Sequence, residues 1–318
     1  MGKYDLNHAR HDPAHCLAPG LFRSLKRGDR KSGKLDVAYD CGDGKRIEFS
    51  GPEPLGVDDL RILQGLVAMG GPAGLVLSPE PQTEAGRQIR LFLEPKWEAV
   101  HQDAMVVKGS YRALAREAGY ADIDNTRPIR DCIERLWKVS IIAQNGSKRQ
   151  GFRLLSEYAC DEHDGKLYVA LNPLIARAVM GGQHIRIEMA EVRGLQSDPA
   201  RLIHQRLCGW IDLGKSGRVE LGTLCGYVWP DETINPNTIK KRRQTARKAL
   251  AELTAVGWAV DEYVKGKWVI GRPKAPIRAA PCLTVPNPLF NSTQLMSENQ
   301  AAARDCGQFA NSIQDYPR

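Results

Sequence analysis

Nothing in this 318-residue sequence approaches the run of roughly 18 apolar residues that would suggest a membrane-crossing helix. The opening stretch, MGKYDLNHARHDPAHC, lacks the apolar core of a secretory signal. Leu6 breaks the pattern for acylation of Gly2. A cytoplasmic protein with no membrane attachment is expected. There is no C-x-x-C pair either. The eight cysteines stand singly at 16, 41, 132, 160, 208, 225, 282 and 306, which argues against a zinc ribbon or a thioredoxin-type centre. In a reducing cytosol they are expected as free thiols, with Cys132 and Cys208 in apolar helical patterns as small buried hydrophobes.

Signs of catalysis are equally sparse. No Ser/His/Asp or paired-carboxylate constellation is legible, since such groups meet only in space. His8, His11, His15 and Cys16 are a conceivable ligand set, but Pro13 breaks the helix geometry between them, and no metal is expected. GWIDLGKS, Gly209 to Ser216, fits G-x-x-x-x-G-K-[ST] formally. A phosphate cradle of that kind needs a strand before the loop and a helix after it. Here a helical pattern precedes, and Gly217 with β-branched Val219 follows, so the match reads as chance. No cofactor and no enzymatic activity are expected.

What the sequence does have is positive charge. Lysine and arginine number 45 against 37 acids, a net +8, which favours a polyanionic partner: nucleic acid, an anionic membrane or an acidic protein. At 42% hydrophobic, the chain can also build real cores over two or three domains.

Residues 1–34 read as an irregular basic arm carrying Arg23, Lys26, Arg27, Arg30, Lys31 and Lys34. KLDVAYDCGDGKRIEFSG alternates around Gly42-Asp43-Gly44 and predicts a β-hairpin. GVDDLRILQGLVAM predicts a helix with Leu60, Leu63, Leu66 and Val67 inward. GLVLSPEP and RQIRLFLE read as short strands. A short helix capped by Ser110 ends at Gly119. A longer one follows, with Ile129, Cys132, Ile133, Leu136 and Trp137 at helical spacing. SIIAQNGSKRQGFRLLSEY then predicts a hairpin turning at Asn145-Gly146. Helix, short helix, longer helix, hairpin is the order of a winged helix-turn-helix.

The same order recurs downstream. SDPARLIHQRLCGWI is a helix with Asp198 as N-cap and Ile203, Leu207, Trp210 and Ile211 as its stripe. RVELGTLCGYVW gives a strand-like start and a short helix. NPNTIKKRRQTARKALAEL is the longer helix, and GWAVDEYVKGKWVIGRPK is a hairpin turning at Lys265-Gly266-Lys267. The longer helix, capped by Asn237 or Thr238, splits into two faces. Ile239, Ala246, Leu250 and Leu253 form a docking face; Lys240, Lys241, Gln244, Arg247 and Lys248 point elsewhere; Arg242 and Arg243 flank the stripe. A merely solvated face mixes signs. This one has no acid before Glu252, and its cations sit early in the helix, where the macrodipole disfavours them. The arrangement predicts a DNA-recognition helix, with Arg and Gln as base readers and Lys on phosphate. Upstream, Arg127, Arg130, Lys148 and Arg149 are weaker candidates. That helix mixes signs, and DNA contact and a structural or dimerising role both remain open. Phosphate contact by the arm is equally open.

The blocks HDPAHCLAPGLFRSLKRGDRKSGKLDVAYDCGDGKRIEFSGPEPLG, DDLRILQGLVAM, DCIERLWKVSIIAQNG, KRQGFRLLSEYA and LYVALNPLIA closely resemble the RepC replication initiators of IncQ-type plasmids, over about residues 8–274. The resemblance implies binding to directly repeated iterons in double-stranded origin DNA, melting of an adjacent AT-rich region, and cooperation with the plasmid helicase RepA and primase RepB. The tail departs from the family. The expected architecture is α+β: two tandem winged helix-turn-helix domains, helix-rich with small β-hairpin wings. Residues 1–34 are the arm, 35–183 the first winged-helix domain, 184–274 the second and main DNA-recognition domain, and 275–318 a disordered tail. A homodimer is compatible with this organisation. The alternative functions are a winged-helix transcriptional regulator and, less favoured, a nucleotide-using enzyme acting through Gly209 to Ser216.

Overall fold

A computed structural model describes residues 8–26, 28–73, 75–77, 87, 104–161, 165–231 and 235–274. The chain divides into two compact units, residues 1–79 with 95–277, and residues 80–94 with 278–318. The elements named below belong to the first. Most of the strand expected at 87–94, the tail from 275 and Arg27 lie outside the described residues.

The first unit mixes helix and sheet. In chain order its elements are β1 (His8–His11), α1 (Pro13–Leu17), α2 (Asp29–Ser32), β2 (Leu35–Gly42), β3 (Lys45–Gly51), α3 (Val57–Ala73), β4 (Leu75–Leu77), β5 (Ala104–Ser110), α4 (Tyr111–Glu117), α5 (Arg127–Trp137), β6 (Ser140–Asn145) and β7 (Lys148–Arg153). These are followed by β8 (Leu155–Asp161), β9 (Lys166–Leu171), α6 (Pro173–Val179), β10 (Ile185–Glu188), α7 (Met189–Gly194), α8 (Asp198–Trp210), β11 (Ser216–Glu220), α9 (Leu221–Val228), α10 (Pro236–Ala255), β12 (Ala259–Val264) and β13 (Lys267–Gly271). No described helix is long and apolar enough to cross a membrane.

The described part of the arm is not irregular. His8–His11 pairs antiparallel with Ile185–Glu188, and Asp12 caps α1 by accepting from the Ala14 amide. Arg23 pairs with Asp231 at 3.1 Å, and Arg30 reaches the carboxylate of Asp59 at 2.9 Å. These cations are held by acids of the same chain.

Helix α3 is covered on nearly every side. Leu60, Ile62, Leu63, Leu66 and Val67 are all buried, and so is Gln64, so the expected stripe is wider than one face. Gly65 permits this: a Cβ there would stand 2.9 Å from Leu114, so α4 lies directly on the helix backbone. At its start, Asp59 is wholly inaccessible. It accepts from the Gly56 amide at 2.8 Å, from Arg30 and from Arg135 Nε at 2.8 Å, which ties three segments to one carboxylate.

The hairpins predicted at Gly42-Asp43-Gly44 and at Asn145-Gly146 are both present. Gly42, Asp43 and Gly44 lie at φ 79°, 52° and 70°, and Gly146 at 58°, the left-handed values those turns need. They join into one antiparallel sheet, β2-β3-β6-β7, through β3 and β6, where Phe49 faces Ile141. The second expected strand of the Asn145-Gly146 hairpin breaks at Leu154, and the chain passes to a different sheet, β4-β5-β9-β8.

This redistribution corrects the expected repeat. Downstream, the sheet order is β11-β13-β12, with β11 leading straight into α9. Upstream, the matching order is β5-β9-β8, with β5 leading straight into α4. Even the register agrees: Ser110 lies opposite Lys166, and Glu220 opposite Lys267. In sheet order, β8–β9 rather than the Asn145-Gly146 hairpin takes the place that β12–β13 takes downstream. The hairpin carrying Lys148 and Arg149 lies between α5 and β8 in the chain and belongs to the other sheet.

Two local expectations also change. Ser197, not Asp198, caps α8, because its hydroxyl accepts from the Ala200 amide; Asp198 is the first helical residue. Trp210 leaves the stripe. It is 41% exposed, lies over Gly217 and donates to the Tyr227 hydroxyl at 3.2 Å.

Candidate nucleic-acid interface

Helix α10 begins earlier than expected. Asn235 is the N-cap, and its side-chain oxygen accepts from the amides of Asn237 and Thr238 at 3.0 and 3.2 Å. Pro236 occupies the first turn, where a missing amide hydrogen costs nothing. Asn237 and Thr238 thus lie inside the first turn. The helix ends at Ala255, and Gly257, at φ 90°, turns the chain away with the Trp258 amide returning to Leu253 O at 3.1 Å.

Ala246, Ala249, Leu250 and Leu253 are buried against α8 and α9, while Ile239 is only half-buried. Glu252, the first acid, accepts from the amides of Gln196 and Ser197 and so anchors the start of α8. Lys240, Lys241, Arg243, Gln244, Arg247 and Lys248 are all exposed. At about 100° per residue they share one arc of roughly 160°, opposite the docking face. Among the described residues, Lys240, Lys241, Arg243 and Lys248 have no acidic partner, and Arg247 has only Glu262 at 3.9 Å. Arg242 differs: its guanidinium stands 5.5 Å over Trp229 and donates to Asp231 O at 3.0 Å, so it fastens the helix start.

The following hairpin adds to this face. Gly266 turns at φ 80°, its amide bound by Glu262 Oε1. Lys265 is exposed at the tip, and Lys267 sits 3.3 Å from Glu220. Five unneutralised or weakly neutralised cations on one helix, beside a basic turn, can take up several phosphates in a row.

The upstream candidates are differently placed. On α5 the predicted face of Ile129, Cys132, Ile133 and Leu136 is buried. Arg127 is exposed, and Arg130 is half-buried with its guanidinium 5.3 Å over Tyr111. Lys148 is exposed, and Arg149 approaches Glu48 at 3.7 Å. The last two belong to the β6–β7 hairpin, whose Arg153 stands 3.9 Å over Trp137 of α5.

Gly209–Ser216 runs from the end of α8 into β11, so no helix N-terminus faces it as a phosphate cradle requires. His8, His11, His15 and Cys16 are spread over β1 and α1. His15 Nδ1 is held by Asp12 at 2.9 Å. The one trio of metal-competent atoms among the described residues is elsewhere: Glu191, His204 and Cys208, all buried and within 4.8 Å of one another. Cys208, expected as a plain hydrophobe, has its sulfur 3.5 Å from His204 Nε2. The sequence signal for the trio was the i, i+4 spacing of His204 and Cys208 on one helix. The six described cysteines form no disulfide.

No curated protein matches the chain. Among solved structures, the selenomethionine derivatives of domains 2 and 3 of RctB share 14% identity at a TM-score of 0.49, covering 83% of this chain and 99% of that one. The Pi initiator protein in complex with iteron DNA shares 15% identity at a TM-score of 0.44, covering 69% and 92%. The model of the Replication protein C (RepC) family matches residues 3–274. The chain belongs to the replication protein C family.

Proposed function

We propose that this protein initiates plasmid replication by binding double-stranded iteron repeats at the origin. In this reading α8 to β13 form a winged helix-turn-helix, with α10 as the recognition helix in the major groove and the Lys265 turn as its wing. The segments α3, β5, α4, α5, β8 and β9 form a second such module. The observation that carries the reading is the unrelieved cationic arc of α10, set opposite its buried face in a chain of the RepC family.

Two modules on adjacent turns of the duplex strain it, which promotes melting of the neighbouring AT-rich stretch. The open strand then receives the plasmid helicase RepA, followed by the primase RepB. The chain works through binding energy alone, as a monomer or a homodimer, with no catalytic step.

Nuclease footprinting on origin DNA tests this. Protection of successive direct repeats is the expected result. Protection confined to a promoter palindrome would make the protein a transcriptional regulator instead. ATP hydrolysis lost in Lys215→Ala would return it to nucleotide chemistry.

A further inference from the structure

Glu191 lies on α7, and His204 and Cys208 lie one turn apart on α8. His204 Nε2 is 2.7 Å from Glu191 Oε2 and 3.5 Å from Cys208 Sγ. The Trp258 indole donates to the same Glu191 oxygen at 3.0 Å and stacks edge-on against His204. All three ligand residues are buried. Hydrogen bonding alone leaves Glu191 Oε1 without a partner among the described residues. His204 Nδ1 likewise has no hydrogen-bond partner among the described residues.

We propose that Glu191, His204 and Cys208 bind one structural zinc ion, with Glu191 chelating through both oxygens. An imidazole, a thiolate and a carboxylate are a donor set that zinc accepts, and the second carboxylate oxygen adds a fourth contact from the same corner of a distorted tetrahedron. Tetrahedral bonds of about 2.0 Å to nitrogen and 2.3 Å to sulfur place those two ligand atoms about 3.6 Å apart, close to the separation found here. The nitrogen and the carboxylate oxygen need about 3.3 Å and must part by roughly half an ångström as the ion replaces the shared proton. Cys208⁻ and Glu191⁻ together neutralise the ion, so a dry site holds no net charge. The Trp258 indole fixes the carboxylate from outside, as outer partners of metal ligands do. The ion would pin α7 to α8, the helix on which the basic helix α10 docks.

The test uses the untagged full-length chain, purified without chelator, dialysed with zinc sulfate and then against metal-free buffer. Elemental mass spectrometry is expected to find about one zinc per chain, falling at least tenfold in Cys208→Ala. Cobalt-substituted protein is expected to show thiolate-to-cobalt absorption in the near ultraviolet, absent from Cys208→Ala and altered in Glu191→Gln. Wild-type protein retaining less than about a tenth of an equivalent overturns the site, as does metal content or a cobalt spectrum that Cys208→Ala leaves unchanged. If Cys208→Ala fails to fold, the wild-type stoichiometry and the Glu191→Gln cobalt spectrum still decide.

Discussion

Replacing Arg243 and replacing the pair Lys240 and Lys248 should damage DNA binding in different ways. All three side chains are exposed and have no acidic partner among the described residues, so their loss should change folding stability by no more than about 0.5 kcal/mol. If Lys240 and Lys248 each neutralise one phosphate, the double alanine variant loses about 1.8 from the slope of log affinity against log salt. A fourfold rise in salt then weakens the variant about twelvefold less than the parent, equally on cognate and random DNA. Arg243→Ala should cost about 1–3 kcal/mol on the cognate repeat, roughly 5- to 150-fold, if it reads a guanine edge. On random DNA it should cost far less. Fluorescence anisotropy on labelled duplexes at four salt concentrations measures both quantities, and thermal melts verify the fold. An Arg243→Ala loss identical on both DNAs, with a slope change near one, refutes base reading by this residue. A double variant with the parent's slope refutes the phosphate face.

Asp59→Ala strands two guanidiniums and should destabilise by about 3 kcal/mol in urea unfolding. This is the low end for a broken buried pair, because Arg30 and Arg135 keep 29% and 14% exposure. Asn235→Ala should cost about 1 kcal/mol through loss of the α10 cap, seen as a lowered urea midpoint with unchanged slope. His11 is fully buried, and burial pushes its pKa down to about 3. It is neutral in the fold and takes up a proton on unfolding below its ordinary value of 6.5, so stability falls as pH drops from there toward 3. The slope is about 1.4 kcal/mol per pH unit, or nearly 3 kcal/mol by pH 4.5, and urea titrations of His11→Gln should lack that component.

Local chemistry made much of this legible before any coordinates. The inward residues of α5, the turn at Lys265, and Ala246, Leu250 and Leu253 of α10 all follow from helical period and turn residues. Long-range pairing did not follow. Asn145-Gly146 announces a hairpin but says nothing of which sheet receives it, so Lys148 and Arg149 were assigned to a wing. The structure puts that hairpin in the β2-β3-β6-β7 sheet, while β5 pairs with β9. Residues 8–11, His-Ala-Arg-His, have no apolar signature of a strand, because their backbone partner lies far along the chain. Trp210 has the spacing of a core residue, yet the absence of a side chain at Gly217 offers it a flat seat at the surface.

The pairing of His8–His11 with Ile185–Glu188 also dictates an order of events during synthesis. The first strand leaves the ribosome long before its partner exists. At about 5–20 residues per second it waits on the order of ten seconds or more. Until then no stretch emerging earlier can complete the unit, and a fragment beginning after His11 would carry an unpaired edge at Ile185–Glu188. Shortened versions made to isolate the basic helix should therefore retain the beginning of the chain, or supply it as a separate peptide.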